Sequence, residues 1–120
     1  MKKILIVEDD RIFAFSLKLS LIRNGYEVLT PVDTAEQGFQ SAMAHKPDII
    51  LMDILLKGDE TGIDAALQIN NNMHIPIIFM TGNEDLLTKK KVVNLKKYDI
   101  YSKPVDEELL ISAIDKIIKS

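Results

Sequence analysis

Six polar residues, each at or just beyond the end of a predicted strand, could perform chemistry together: Glu8, Asp9, Asp10, Asp53, Thr81 and Lys103. The three adjacent acids repel one another unless a cation or solvent screens them. Carboxylate oxygens on a rigid frame suit Mg²⁺. A hydroxyl and a lysine beside them could hold the oxygens of a phosphoryl group, which leaves Asp53 as an oxygen nucleophile. Each residue alone is also explained by a helix cap or a solvated turn.

The apolar runs before these residues predict strands that bring them together. Residues 49–52 form an unbroken apolar run bounded by turn residues, which is typical of a strand buried on both faces of a parallel sheet. Strand and helix patterns alternate five times along the chain, which favours a parallel sheet with helices on both faces. The carboxyl ends of such strands lie at one edge, where open α/β sheets bind ligands.

The predicted elements occupy nearly the whole chain. The strands are predicted at 3–7, 26–30, 48–53, 75–80 and 99–103, and the helices at 11–24, 34–45, 63–71 and 84–97, with a last helix after Asp106. Asp10 or Asp9 is the expected N-cap of the first helix and Gly25 its stop. Thr34 and Gln37 predict a capping box for the second helix.

Composition limits the possible functions. The 120 residues suffice for one domain, assigned here to residues 1–120, and an apolar content of 47% argues against disorder. The chain has no cysteine and only two histidines, too few for a zinc site. A net charge of -3 gives no reason to expect direct DNA binding. The sequence shows neither a signal peptide nor a membrane span, so a soluble cytoplasmic protein is expected.

Four motifs together resemble the receiver domain of two-component response regulators: ILIVEDD, DIILMDILLKG, MTG at 80–82 and SKP at 102–104. The resemblance covers residues 2–119 and implies a flavodoxin-like, doubly wound fold. Its three layers would hold a five-stranded parallel sheet of order 2-1-3-4-5 and five helices. It also implies a phosphorylation-dependent switch that catalyses only its own phosphoryl transfer and autodephosphorylation.

The resemblance assigns roles to the acids near the sheet edge. Asp53 resembles the phosphoacceptor and, with its neighbours, binds the Mg²⁺ cofactor. Asp9 resembles the direct metal ligand, while Glu8 acts mainly through water. The backbone carbonyl of Leu55 is expected to complete the protein's share of the coordination.

The resemblance also assigns the switch residues. Thr81 resembles the switch hydroxyl and Lys103 the cation that binds the phosphoryl group, and the bond before Pro104 is expected to be cis. The family's aromatic switch position falls on Ile100, whereas Tyr101 is one residue later and, by strand alternation, should face the other way. The usual coupling between the hydroxyl and a swinging ring is therefore not expected in its common form.

Two further positions depart from the commonest receiver pattern. Lys57 stands where many members have proline, and the loop to Gly62 is one residue longer than usual. Gly82 replaces the common alanine after the threonine and should loosen that loop.

The implied partners are a sensor histidine kinase or a histidine phosphotransfer protein, and a downstream target that the sequence does not identify. The expected output surface comprises the fourth predicted helix, the fifth strand and the last helix. Lysines of the fourth helix are either a solvated face or a dock for an acidic partner: Lys89, Lys90, Lys91, Lys96 and Lys97.

The first predicted helix has two apolar stripes. Phe13, Leu17 and Leu21 are expected to face the sheet, and a second stripe is left outward: Ile12, Phe15, Leu19 and Ile22. A neighbouring helix could cover the second stripe. If it is exposed, it could pack against a second copy, as a homodimer, or against the kinase's phosphotransfer helices.

Three other protein classes share parts of this pattern. A flavodoxin would need a phosphate-binding loop after the first strand, where the acids would repel phosphate. A haloacid-dehalogenase-type phosphatase needs a second aspartate two residues after the nucleophile, and that position is Leu55. A receiver-like interaction module that is not phosphorylated remains the alternative, although it typically lacks part of the acid set.

Overall fold

The computed structural model describes residues 1–82 and 98–119, apart from the side chain of Tyr98. The strands are β1 (Lys3–Val7), β2 (Glu27–Val28), β3 (Ile49–Asp53), β4 (Ile77–Thr81) and β5 (Tyr98–Ser102). The helices are α1 (Arg11–Arg23), α2 (Ala35–His45), α3 (Gly62–Asn72) and the C-terminal helix (Glu107–Lys119). The predicted helix over 84–97, with its lysines, lies outside the described residues.

All four strand pairs are parallel, and the strand order is β2-β1-β3-β4-β5. This confirms the predicted flavodoxin-like sheet. Every residue of β3 and β4 is buried, as expected for strands covered on both faces.

Side chains that alternate along the strands form two apolar layers, one on each face of the sheet. Leu5 and Val7 belong to the layer that contains Ala42 of α2 and Ile69 of α3. The alternate strand residues, including Ile4 and Ile6, pack with Leu17 of α1 and Leu110 of the C-terminal helix: they form the second layer. The period of two along each strand separates these layers.

Helix α1 begins and ends as the sequence indicates. The Asp10 side chain accepts a hydrogen bond from the backbone N–H of Phe13, so Asp10 is the N-cap. The chain leaves the helix through Asn24 and then Gly25, whose φ of 91° lies in the region that favours glycine.

The capping box occurs at a different helix from the predicted one. Thr34 does cap α2, but the Gln37 side chain accepts from the N–H of Asp33 rather than that of Thr34. A complete box instead begins α3, where Thr61 and Asp64 bond reciprocally. An aspartate at the third helical position can reach back as glutamate does.

Strand β2 is shorter than the predicted 26–30. Only Glu27 and Val28 pair regularly with β1, although the Val32 N–H still donates to Ile6 O at 3.1 Å. Pro31 has no N–H to contribute to a ladder, which is tolerated at the edge of a sheet.

The second apolar stripe of α1 is exposed, as one of the two sequence interpretations predicts. Its exposed fractions are 85% for Ile12, 60% for Phe15, 43% for Leu19 and 47% for Ile22. Leu17 and Leu21 are fully buried against the sheet, and Phe13 is half-buried. Among the described residues, no helix is long and apolar enough to span a membrane.

Candidate functional site

The strand register brings the candidate residues to one edge of the sheet. Asp53, the last residue of β3, pairs with Met80, and Thr81 follows at the end of β4. The Lys103 N–H then donates to Thr81 O at 2.8 Å, just beyond the end of β5. Asp53 and Thr81 are both buried, at 6% and 1% exposure.

Three carboxylates converge at this edge. Glu8, Asp9 and Asp53 each offer an oxygen, and these oxygens lie within 4.8 Å of one another. Asp10, the third adjacent acid, caps α1 instead and donates its backbone N–H to Glu8 Oε2 at 3.0 Å. Hard carboxylate donors in this spacing fit Mg²⁺.

Lys103 forms ion pairs with two of these carboxylates. Its Nζ lies 2.6 Å from Glu8 Oε1 and 3.1 Å from Asp53 Oδ2. Burial lowers the pKa of Lys103, but the contacts with Glu8 and Asp53 outweigh burial and raise it overall. The ammonium therefore stays protonated beside the acceptor.

Burial is also the main cause that raises the pKa values of Glu8 and Asp9. For Glu8, the Lys103 ammonium and the Asp10 N–H oppose this rise and Asp53 adds to it. For Asp9, the neighbouring Glu8 carboxylate adds to it. The negative charges are thus concentrated where a cation would stabilise them.

Phe13 is a neighbour of Lys103 that sequence reasoning did not assign to the site. The Lys103 Nζ lies 5.2 Å from the centroid of the Phe13 ring. The helical pattern correctly predicted that Phe13 faces the sheet. No local sequence signal relates Phe13 to Lys103, which lies near the other end of the chain.

The two candidate switch residues of β5 face opposite ways, as strand alternation predicts. Ile100 packs into the layer beneath α2 and α3, whereas Tyr101 packs into the layer beneath α1. Burial, with a smaller effect of the Asp99 carboxylate, raises the pKa of Tyr101. The Lys103–Pro104 peptide bond is cis, in agreement with the expectation.

The loop after β3 is tied to the loop before α2. Lys57 and Thr34 form an isolated parallel β-bridge through their backbones. The Lys57 Nζ also lies 3.4 Å from Asp33 Oδ2. Arg11 approaches the same carboxylate oxygen at 3.7 Å. Leu55, in the same loop, has a side chain that is 55% exposed. Lys57 therefore gives this loop an ionic contact.

Comparison with known proteins identifies close structural and sequence relatives. The family model for the response regulator receiver domain matches residues 4–115. The response regulator ArlR of Staphylococcus aureus is 32% identical over 119 residues, which is 99% of this chain and 53% of that protein. The chain thus spans about half the length of the curated relatives it matches.

Two solved structures superpose closely on this chain. The signal receiver domain of a modulated diguanylate cyclase from Desulfovibrio desulfuricans has a TM-score of 0.88 at 33% identity, covering 99% of this chain and 94% of that one. The N-terminal domain of a response regulator/sensory box/GGDEF three-domain protein from Carboxydothermus hydrogenoformans has a TM-score of 0.88 at 30% identity, covering 98% and 94%.

Proposed function

Because the chain belongs to the family of response regulator receiver domains, we propose that Asp53 accepts a phosphoryl group. The donor is a phosphohistidine of a sensor kinase or phosphotransfer protein, or a small phosphodonor. The observation that carries this proposal is the position of the Asp53 carboxylate beside two further acids and 3.1 Å from the Lys103 ammonium.

Asp53 acts as the nucleophile of this transfer. A carboxylate oxygen forms a P–O bond while the P–N bond of the donor breaks, and the electron pair stays on the imidazole nitrogen. Lys103, 3.1 Å from the acceptor carboxylate, stabilises the charge on the transferred oxygens. Thr81, at the end of the adjacent strand, supplies a hydroxyl to the phosphoryl group.

Receiver domains generally bind Mg²⁺, and the three carboxylates fit that ion by donor type and spacing. We assign Asp9 and Asp53 as ligands, Glu8 as a ligand mainly through water, and the Leu55 carbonyl as a further oxygen. When bound, the ion neutralises the oxygens of donor and acceptor during in-line transfer.

Members of this family are phosphorylation-dependent switches rather than classical enzymes. The new group carries about -1.5 to -2 charges and replaces the single charge of the Asp53 carboxylate. That charge would draw Lys103 away from Glu8 and draw Thr81 inward, because both can bind phosphoryl oxygens. The consequence is an altered surface around β5 and the C-terminal helix that a downstream partner reads in the cytoplasm.

The exposed face of α1 is the proposed dock for the phosphodonor protein. It carries four apolar side chains and adjoins the Asp53 site through Asp9 and Asp10. The helix contains Arg11, Lys18 and Arg23 but no acid. Like charges would oppose pairing with a second copy of this helix, whereas an amphipathic helix with acidic flanks would match it.

Intact mass after incubation with acetyl phosphate and Mg²⁺ tests the proposal. The parent should gain one acid-labile phosphoryl group, and the Asp53→Asn variant should gain none. Chelation of Mg²⁺ should also prevent the gain. Phosphorylation of the Asp53→Asn variant would refute the assignment, and an inert parent would favour the alternative of a receiver-like module that is not phosphorylated.

A further inference from the structure

Four residues of the site are joined in a closed circuit of contacts. Lys103 Nζ donates to Glu8 Oε1 at 2.6 Å, and Glu8 Oε2 accepts from the Asp10 N–H at 3.0 Å. Asp10 Oδ1 accepts from the Phe13 N–H at 3.1 Å, and the Phe13 ring faces the Lys103 Nζ at 5.2 Å. The N-cap of α1 therefore holds the backbone of Phe13 near the same carboxylate that binds the ammonium.

The ring can restrain an otherwise mobile cation. A lysine ammonium is a compact charge on a flexible four-carbon stem. The negative face of an aromatic ring attracts such a charge within about 6 Å of the centroid. Because the Lys103 side chain is only 26% exposed, solvent screens this attraction less than it would at the surface.

We propose that Phe13 is a positioning residue for Lys103. The Lys103 ammonium contacts Glu8, Asp53 and the face of the Phe13 ring. The ring favours the Lys103 side-chain conformations that keep the ammonium beside Asp53. An aliphatic side chain would fill part of the same space without attracting the cation. The proposal rests on the proposed function insofar as the positioned charge serves phosphoryl transfer to Asp53.

A nuclear magnetic resonance experiment tests the contact without any reaction. The Lys103 ε-methylene protons should show a ring-current shift in the parent and in Phe13→Tyr, and should lose it in Phe13→Leu. Phe39→Leu is the matched control, because Phe39 is also half-buried but packs in the layer on the other face. A parent shift that survives Phe13→Leu would refute the contact.

A kinetic experiment tests the consequence. In acetyl phosphate and Mg²⁺, Phe13→Leu should phosphorylate about three- to tenfold more slowly than the parent, while Phe13→Tyr should stay within about twofold. In a Lys103→Met background, phenylalanine and leucine at this position should react equally, since no ammonium remains to be positioned. Variants should be compared under conditions where each is folded by circular dichroism.

The outcomes separate the two proposals. Equal rates for the parent and Phe13→Leu, or an undiminished effect in the Lys103→Met background, would overturn the positioning role. An unreactive parent would instead overturn the proposed function, and the ring-current shift would still decide whether Phe13 holds Lys103.

Discussion

Gly62 lies so close to Asp53 that a Cβ atom at Gly62 would stand 2.0 Å from the Asp53 carbonyl oxygen and 2.8 Å from Met52 Cγ. The Gly62 N–H also donates to Ile54 O at 2.8 Å, so the start of α3 is bound to the chain that leaves the acceptor. The first turn of α3 and the backbone of the acceptor therefore form one packed unit.

The substitution Gly62→Ala should lower the free energy of unfolding by about 3 kcal/mol, because backbone atoms must shift to admit the methyl group. The same shift should slow phosphorylation of Asp53. Gly82→Ala is the matched control for stability, since a Cβ there meets nothing within 4 Å. It should change stability by less than about 1 kcal/mol. Equal urea midpoints for the two variants would contradict the packing argument.

Removal of the Lys103 charge should make the protein more dependent on Mg²⁺. The Glu8 side chain is fully buried and would lose its cation in Lys103→Met, at a cost of about 2 to 3 kcal/mol. Added Mg²⁺ should then raise the unfolding temperature more in the variant than in the parent. Lys57→Met, which removes an exposed lysine from Asp33, should leave the Mg²⁺ effect unchanged. A smaller Mg²⁺ effect in Lys103→Met than in the parent would be inconsistent with this account.

Charges on the exposed face of α1 should impair phosphorylation by a partner protein but not by a small donor. Phe15→Glu combined with Leu19→Glu replaces two exposed apolar side chains, so the fold should be retained. Transfer from the kinase should slow by about tenfold or more, as expected when central apolar contacts are lost, while the rate with acetyl phosphate stays at the parental value. A folded double variant that accepts phosphoryl from its kinase at the parental rate would exclude this face as the dock.

Stability should decrease at alkaline pH through Tyr26. Its hydroxyl donates to Asp115 of the C-terminal helix, and burial, reinforced by that carboxylate, raises the pKa of Tyr26 to about 12. The folded state holds the phenol proton more tightly than the unfolded state does. The contribution of Tyr26 to the free energy of unfolding is therefore complete below about pH 10 and is lost as the pH rises towards 12.

The Tyr26→Phe variant should be less stable than the parent by about 1 kcal/mol at neutral pH. This difference should shrink between about pH 10 and 12, as measured by urea unfolding at each pH. Tyr101→Phe, which alters the other tyrosine described with a raised pKa, serves as the comparison. A parent-minus-variant difference that stays constant across this range would show that the hydrogen bond does not titrate.

Local sequence determined the elements and the edge of the sheet that carries the site. The apolar runs before Glu8 and Asp53 are strands that are covered on both faces, and such strands bury every side chain of a short apolar run. Asp10 begins α1 because its side chain satisfies a free N–H of the first turn. Since parallel strands share one carboxyl edge, the order of elements predicts that Asp53, Thr81 and Lys103 lie along the same edge of the sheet.

Tertiary structure alone decided which groups of the protein touch one another. The distance from Lys103 to the Phe13 ring and the bond from Tyr26 to Asp115 join segments that are distant in sequence. The contact of Gly62 with the Asp53 backbone joins the two ends of the loop between β3 and α3. Such contacts depend on how far each helix lies above the sheet and on side-chain rotamers, which no local pattern encodes.

The burial of the apolar residues of α1 was also determined partly by the sequence and partly by the tertiary structure. Helical periodicity separated the two stripes of α1 but left open whether a neighbouring helix covers the second one. The structure leaves Phe15 60% exposed because α1 lies on the sheet through its other stripe, which includes Leu17 and Leu21. The sequence by itself thus determined the fold and the acids of the site. The packing of helices on the sheet decided which groups contact Asp53 and Lys103 and which apolar surface remains exposed.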